Sequence, residues 1–370
     1  MRVTIERSAF LKALTHVQSV VERRNTIPIL SNVLLQAADG QLKLTATDLD
    51  IEIVESVPAD VAKSGAATVP AHMLYDIVRK LPDGAQLDLE KAGDGQRVSI
   101  FAGRSRFSLQ ALPPEDFPDL AAGEFPNSFA IAANDLKALI EKTRFAISTE
   151  ETRYYLNGIY LHEVASAGML RAVATDGHRL AQAQIARPEG AKGMPGVIVP
   201  RKTVLEVVKL FEGMEGAVEV SLSAAKIRFA AGDLVLTSKL IDGTFPDYER
   251  VIPRNNDKTL ELDTKAFASA VDRVSTISME KGRAVKLQIG GNKVVLTVNN
   301  PDSGSAEEEV ACAYEADPLE IGFNSRYLMD VAGQMKSDGM EFRLADAGSP
   351  TIVRDPGDEQ ALYVLMPMRV

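Results

Sequence analysis

The chain has 370 residues and a formal net charge of −10, with 45% hydrophobic and 25% charged residues. That is the composition of a globular chain long enough for two or three domains, and it excludes a disordered or fibrous one. The single cysteine, Cys312, can form neither an internal disulfide nor a cysteine-ligated zinc site; residues 1–7 are charged and alternating, unlike a secretory leader; and no apolar run approaches a membrane span, so an acidic, soluble, cytoplasmic protein is expected.

In chain order, a first helix is predicted over 8–21, burying Phe10, Leu11, Leu14, Val17 and Val21. Alternating strands follow, such as residues 41–46, joined as a hairpin through Ala38-Asp39-Gly40. A second helix is predicted over 71–81, where Leu74, Ile77, Val78 and Leu81 fall at i, i+3, i+4 and i+7. Helices are then expected over 134–145, 201–211, 264–274 and 325–336. Strands are expected at 217–222, 234–237 and 293–298, the last behind a hairpin turn at Ile289-Gly290-Gly291-Asn292.

These elements repeat. The apolar positions of the helix over 71–81 return 130 residues later as Val204, Val207, Val208 and Phe211, and 124 residues further on as Leu328, Val331, Ala332 and Met335. Thr45-Ala46-Thr47-Asp48 returns as Val173-Ala174-Thr175-Asp176 and, more weakly, as Thr297-Val298-Asn299-Asn300. Phe117-Pro118-Asp119 returns as Phe245-Pro246-Asp247. The expected organisation is therefore three α+β units, each an antiparallel sheet with two helices, spanning 1–125, 126–253 and 254–370.

Charge is sorted by element. Each of the six predicted helices is net basic, +7 in all, leaving −17 for the rest of the chain. Ordinary solvated helix faces would account for any one of them. All six together point to a helical surface that attracts a polyanion, with acidic strands and loops elsewhere.

Catalytic chemistry has little to stand on. Asp176 and His178 could be read as base and orienter of a hydrolase or nuclease, but no nucleophile elbow, phosphate loop or His-x₃-His pair accompanies them. Asp176-Gly177 reads better as a turn. No metal and no cofactor is expected.

The segments Ile27-Pro28-Ile29-Leu30-Ser31-Asn32, Ser105-Arg106-Phe107-Ser108-Leu109, Arg153-Tyr154-Tyr155-Leu156-Asn157-Gly158, Ala174-Thr175-Asp176-Gly177-His178-Arg179-Leu180, Phe245-Pro246-Asp247-Tyr248 and Met366-Pro367-Met368-Arg369 carry a family likeness. The whole chain closely resembles the bacterial DNA polymerase III beta subunits, the replicative sliding clamps. The resemblance implies a head-to-tail homodimeric ring with the helices inside, encircling duplex DNA without regard to sequence. It also implies a non-catalytic role as processivity subunit, with the polymerase III alpha subunit, the clamp-loader delta subunit and other motif-bearing peptides as partners, and no membrane.

By the same resemblance a partner-peptide groove falls on Leu156, Thr175, Gly177, His178, Arg179, Leu180, Pro246, Arg250 and Val251, with Tyr327, Val364, Met366, Pro367, Met368, Arg369 and Val370 from the last repeat. Leu156, Thr175, Leu180, Val251, Val364 and Met366 would be its apolar floor; His178, Arg179, Arg250 and Arg369 its polar rim. Methionine suits a site that accepts several peptides. DNA contact is implied for Arg24, Tyr154 and Tyr155, beside the helical Arg79, Lys202 and Arg326, because arginine and lysine hold phosphate and tyrosine can stack on an unpaired base.

Ring size also argues for two chains. Helices packed about 8–10 Å apart make a six-membered circle too narrow for duplex DNA, whereas twelve leave roughly 28 Å clear. Closure is expected to pack Phe107 and Leu109 of one subunit against Ile277 of the next, with Arg104 and Arg106 facing Glu307, Glu308 and Glu309 at the rim. A monomeric peptide-binding scaffold that never encircles DNA is the remaining alternative.

Overall fold

The computed structural model describes residues 1–93, 95–278 and 283–370. They form two compact units, one of residues 1–134, 188–191 and 205–240, the other of 135–187, 192–204 and 241–370.

The first unit holds two antiparallel sheets. Eight strands run in the order Asn127–Ala132, Ala217–Leu222, Lys226–Ala231, Leu234–Lys239, Ile51–Pro58, Gln41–Thr47, Asn32–Ala38 and Gly65–Pro70. Five more run Asp60–Lys63, Arg2–Glu6, Gln86–Lys91, Arg97–Ala102 and Ser105–Gln110. Helices α1 (Arg7–Val17) and α2 (Ala71–Lys80) bury Phe10, Ala13, Leu14 and Val17 and Ala71, Leu74 and Val78; of the expected stripes, Leu11 and Ile77 are only half-buried. The Glu6 carboxylate caps α1 by accepting from the Ser8 and Ala9 amides at 2.8 and 3.1 Å. The helix expected to reach Val21 stops at Val17, and Gln18–Val20 tightens into a 3₁₀ turn.

The second unit is built on one twelve-stranded antiparallel sheet: Val197–Pro200, Gly158–Val164, Met169–Thr175, Arg179–Ala186, Ala361–Leu365, Thr351–Arg354, Gly339–Leu344, Lys258–Asp263, Gly304–Ala313, Lys293–Asn300, Ala284–Gly290 and Leu319–Asn324. Helices α3 (Ala133–Glu141) and α4 (Arg201–Leu210) belong to the middle stretch of sequence, α5 (Thr264–Ser275) and α6 (Ser325–Ala332) to the last. Helix α3 ends before Lys142 and Arg144, and α6 before Lys336, so three of the basic residues counted on helices lie just beyond them.

Both expected hairpins form. Asp39 and Gly40 (φ 51° and 73°), and Gly291 and Asn292 (φ 59° and 60°), are paired left-handed residues, the twist that matches two-residue connections.

Three sequence repeats give two compact units because strands join across repeats. Ile51–Pro58 of the first repeat pairs with Leu234–Lys239 of the second, and Arg179–Ala186 of the second pairs with Ala361–Leu365 of the third. Each pairing makes one continuous sheet from two repeats. Among the described residues, two strands at the corresponding places in the first and third repeats have no such cross-repeat partner. Ser105–Gln110 pairs only with Arg97–Ala102, and Gly304–Ala313 pairs with Lys293–Asn300 but meets Lys258–Asp263 only at its far end, through Cys312 and Ala313.

Candidate functional site

The turn between the strands Met169–Thr175 and Arg179–Ala186 is built on Asp176. Its Oδ1 accepts from the His178 and Arg179 amides at 2.9 and 3.1 Å, while the Thr175 hydroxyl accepts from the Gly177 amide at 3.1 Å. The matching turn in the first repeat has the same bonds. Asp48 accepts from Asp50 and Ile51 at 2.9 and 2.7 Å, and Thr47 accepts from Leu49 at 3.0 Å. In the third repeat Asn300 Oδ1 accepts from the Asp302 amide at 3.0 Å. Asp176 is thus the carboxylate of a recurring Asx turn. Its Oδ2 accepts from Arg179 Nε at 3.1 Å. Nothing here frees Asp176 to act as a base with His178, and the hydrolase reading finds no support.

Beside this turn lies a groove of about 330 Å³. Leu156, Leu180 and Val364 form its buried floor; Met366 and Val251 stand at its mouth, 38% and 48% exposed. Leu180 and Val364 are directly paired across neighbouring strands, which is how residues 184 positions apart come to share one floor. The opposite wall is Pro246, Asp247, Tyr248 and Val251, on the short 3₁₀ turn Tyr248–Val251 and the residues leading into it. Arg153, Tyr155, Thr175, Gly177 and Arg179 complete the lining. Gly177 has φ +87°, which is what favours glycine at this turn; a Cβ there would meet only the movable end of the Arg153 side chain, Nη1 at 2.4 Å. An apolar floor with a polar mouth can take a short extended peptide by its apolar side chains.

Of the residues expected here, Leu156, Thr175, Gly177, Arg179, Leu180, Pro246, Val251, Val364 and Met366 line the groove; His178, Arg250, Tyr327, Pro367, Met368, Arg369 and Val370 do not. Arg250 is largely exposed and pairs with Asp247 at 2.7 Å. His178 and Tyr327 face a separate polar cavity shared with Arg144, Arg201 and Arg326. Met368 donates its amide to the Gly322 carbonyl at 2.8 Å, and Val370 lies against Gly322, so the chain's last residues lie along the strand Leu319–Asn324.

Arg179 corrects one expectation. Its guanidinium is not a rim group waiting for a peptide. It is buried, donates to Asp176, to Asp330 and to the Phe145 carbonyl at 2.6 Å, and lies 4.3 Å from the centre of the Tyr327 ring. Sequence reasoning also missed Arg153, Asp247 and Tyr248 as lining residues and assigned Tyr155 to DNA alone. The recurring Phe-Pro-Asp turn, followed here by Tyr248, was the available signal.

Tyr154 and Tyr155 lie in the span Glu151–Leu156, two short 3₁₀ turns joined across a kink at Arg153. Tyr154 is 53% exposed, whereas Tyr155 packs on the cluster of Leu156, Val173, Leu180, Phe245 and Tyr248 and lines the groove. Arg24, Arg79, Lys202 and Arg326 are all exposed. The helical cations come with acidic neighbours one turn away, as in Arg79 with Asp76 at 3.0 Å, Lys209 with Glu206 at 2.8 Å and Lys137 with Glu141 at 3.8 Å. That weakens the field which the raw count suggests.

On the strand Ser105–Gln110, Arg106 is exposed and lies 5.2 Å from the Phe101 ring centre, Phe107 is half-buried and Leu109 is buried in its own sheet. Arg104 is exposed in the preceding turn. Leu109 is therefore part of the core of its own sheet. Ile277 is half-buried after α5, its carbonyl accepting from Asn300 Nδ2 at 2.9 Å. The acidic run also divides. Strand alternation puts Glu308 on the face opposite Glu307 and Glu309, where Arg273 of α5 holds it through Nε at 2.9 Å. That ion pair and its hydrogen bond depress the Glu308 carboxyl below the ordinary range. Glu309 pairs with Lys293 at 2.7 Å. Of the three, Glu307 is the exposed acid with no such pair described.

Three antiparallel α+β repeats joined strand to strand, with an apolar groove at the second joint, are the build of a DNA clamp. Family models agree repeat by repeat: those of the N-terminal, central and C-terminal domains of the DNA polymerase III beta subunit match residues 1–121, 130–247 and 249–369. The chain belongs to the DNA polymerase III beta subunit family, the beta sliding clamps. It is 57% identical to the beta sliding clamp of Caulobacter vibrioides and 41% identical to that of Escherichia coli, each over the full length of both chains. Its structure matches a sliding clamp of Bartonella birtlesii, solved bound to griselimycin, with a TM-score of 0.97 and 56% identity over all of both chains.

Proposed function

We propose that this chain works as a processivity clamp: two copies close head to tail around duplex DNA, and the groove at Leu156, Leu180, Val364 and Met366 tethers the polymerase. The carrying observation is that groove, since its floor is buried apolar surface open to solvent on one side. The polymerase III alpha subunit, the clamp-loader delta subunit and other proteins bearing short apolar motifs would compete for it. The three repeats would be separate clamp domains with boundaries near 125 and 253, and the site of action would be the cytoplasm. No helix among the described residues is long and apolar enough to cross a membrane.

The two strands lacking a cross-repeat partner among the described residues support ring closure. In sequence order, Ser105–Gln110 is to the first repeat what Leu234–Lys239 is to the second, and Gly304–Ala313 is to the third what Arg179–Ala186 is to the second. Pairing these two edges between subunits would make a third joint like the two within each chain, and would cover strands that otherwise invite aggregation. Half-buried Phe107 and Ile277, with Arg104, Arg106 and Glu307 around them, would lie at that joint. Exposed Arg24, Arg79, Lys202, Arg326 and Tyr154 would touch DNA by charge and stacking, without reading bases.

The test is topological. The purified protein, loaded on nicked circular DNA, should stay bound through gel filtration and be lost once the circle is linearised. Equal loss from circles and linear DNA would support the monomeric scaffold instead.

A further inference from the structure

One wall of the groove is carried by residues 245–251, and that segment is held to the sheet by side chains outside the groove. Tyr160 and His162 lie two apart on the strand Gly158–Val164 and so share a face. Arg171 stands directly opposite His162, and Gln184 directly opposite Arg171, making one row across three strands. The Phe245 ring stacks on Tyr160, centres 4.9 Å apart and planes 7° apart, and Tyr160 stacks on His162 at 4.6 Å. The Tyr248 hydroxyl lies 2.9 Å from both His162 Nε2 and Arg171 Nη1. Arg171 further donates to Glu249 at 3.1 Å and to Gln184 at 2.9 Å.

This pattern fixes the protons. His162 Nδ1 is 3.0 Å from the Glu163 carbonyl, which can only accept, so Nδ1 carries hydrogen and Nε2 keeps its lone pair. Tyr248 therefore donates to His162 and accepts from Arg171. A protonated His162 would turn a second donor on the hydroxyl, beside the Arg171 cation.

We infer that Tyr160, His162 and Arg171 are positioning residues of the groove: they fix Tyr248, and with it Pro246 and Val251, and they make peptide affinity fall on acidification. This rests on reading the groove as a peptide site. The groups facing His162 are Arg171 on the next strand and Glu249 and Tyr248 on the 3₁₀ turn, with Tyr160 stacked against it. Burial first, and then the Arg171 charge, hold the imidazole below its ordinary value. The sign follows: the wall is intact above about pH 6.5 and is lost as pH falls below that, through the lower folded value.

The test uses the full chain in a His178→Gln background, so that the exposed imidazole next to the Asp176 turn contributes nothing. Binding of a labelled peptide from the polymerase III alpha-subunit tail, followed by fluorescence anisotropy, should weaken at least about fivefold between pH 7.5 and 5.0 as the imidazole titrates. Adding His162→Gln, which keeps an acceptor for Tyr248 but cannot be protonated, should flatten that response. Tyr248→Phe, which keeps the ring and removes only the hydroxyl, should weaken binding at pH 7.5 and also flatten the response, with a cooperative melt retained. A pH response unchanged by His162→Gln, or parent-like affinity in Tyr248→Phe, overturns the inference. A parent chain that binds no peptide at any pH overturns the reading of the groove itself, and the inference with it.

Discussion

The guanidinium carbon of Arg179 lies 4.3 Å from the centre of the Tyr327 ring, so a residue beside the groove of the second repeat is capped by an aromatic from the α6 helix of the third. Asp176 and Asp330 neutralise the same cation, and the Phe145 carbonyl accepts from it. The second and third repeats are tied at this point by a buried charge.

Removing that charge should damage stability before it damages binding. Arg179→Ala takes the guanidinium away from Asp176, Asp330 and the Phe145 carbonyl, and breaking such an ion pair costs roughly 3–5 kcal/mol when fully buried. Asp330 is partly exposed, so the lower end is expected. Urea denaturation of wild type and variant measures it. A variant as stable as wild type would return Arg179 to the role of a simple peptide contact.

The groove is best probed at its mouth. Leu180 is 2% exposed, so Leu180→Ala would open a core cavity costing about 2–5 kcal/mol and blur the readout. Val251 and Met366 are 48% and 38% exposed and can be shortened with little effect on folding. Val251→Ala with Met366→Ala should cost at least about 2 kcal/mol in affinity for a polymerase-tail peptide, with an unchanged melt. Calorimetry showing wild-type affinity would remove these two anchors from the site.

Ring closure should depend more on apolar surface than on charge. Burying a side chain such as Phe107 is worth about 1.5–3 kcal/mol, whereas an exposed ion pair adds about 0–1. Phe107→Ala or Ile277→Ala should shift the sedimentation profile towards monomer at micromolar concentration, and Arg106→Ala should do so much less. Since Arg273 and Lys293 already hold Glu308 and Glu309, Glu307→Gln should outweigh changes at its two neighbours. Sedimentation of the three glutamate variants side by side checks that order.

DNA contact should be weak, indifferent to sequence and steeply salt-dependent, because basic side chains on phosphate release counterions. Neutralising Arg24, Arg79, Lys202 and Arg326 together should flatten the dependence of log K on log salt while circular dichroism stays unchanged. A sequence-selective footprint, or a salt slope that the fourfold variant leaves intact, would argue against sliding.

Much of the fold was legible because it is set by local spacing. The i, i+3, i+4, i+7 stripe over Leu74, Ile77, Val78 and Leu81 can be buried only as a helix face, and Asp39-Gly40 tolerates the positive φ that a tight hairpin demands. Repetition of such signals made three units countable from the sequence. The groove at Leu156, Leu180, Val364 and Met366 was legible through the family likeness, not through periodicity, which cannot distinguish a groove from a core.

What the sequence left undetermined is what depends on partners far along the chain. Nothing near Arg179 announces that Asp330, 151 residues on, will bury its charge, and nothing near Leu109 says that its own sheet covers it. The run Glu307-Glu308-Glu309 reads as one acidic patch until the pleat turns Glu308 to the other face, towards Arg273. Tyr154 and Tyr155 are equivalent as letters; the 3₁₀ turn after the kink at Arg153 sends the first to solvent and packs the second on the groove. The grouping of three repeats into two compact units was decided the same way, by strand pairs that cross from one repeat to the next. Local sequence sets which segments become strands and helices, whereas burial and ion pairing are set by whichever surfaces the pairing brings together.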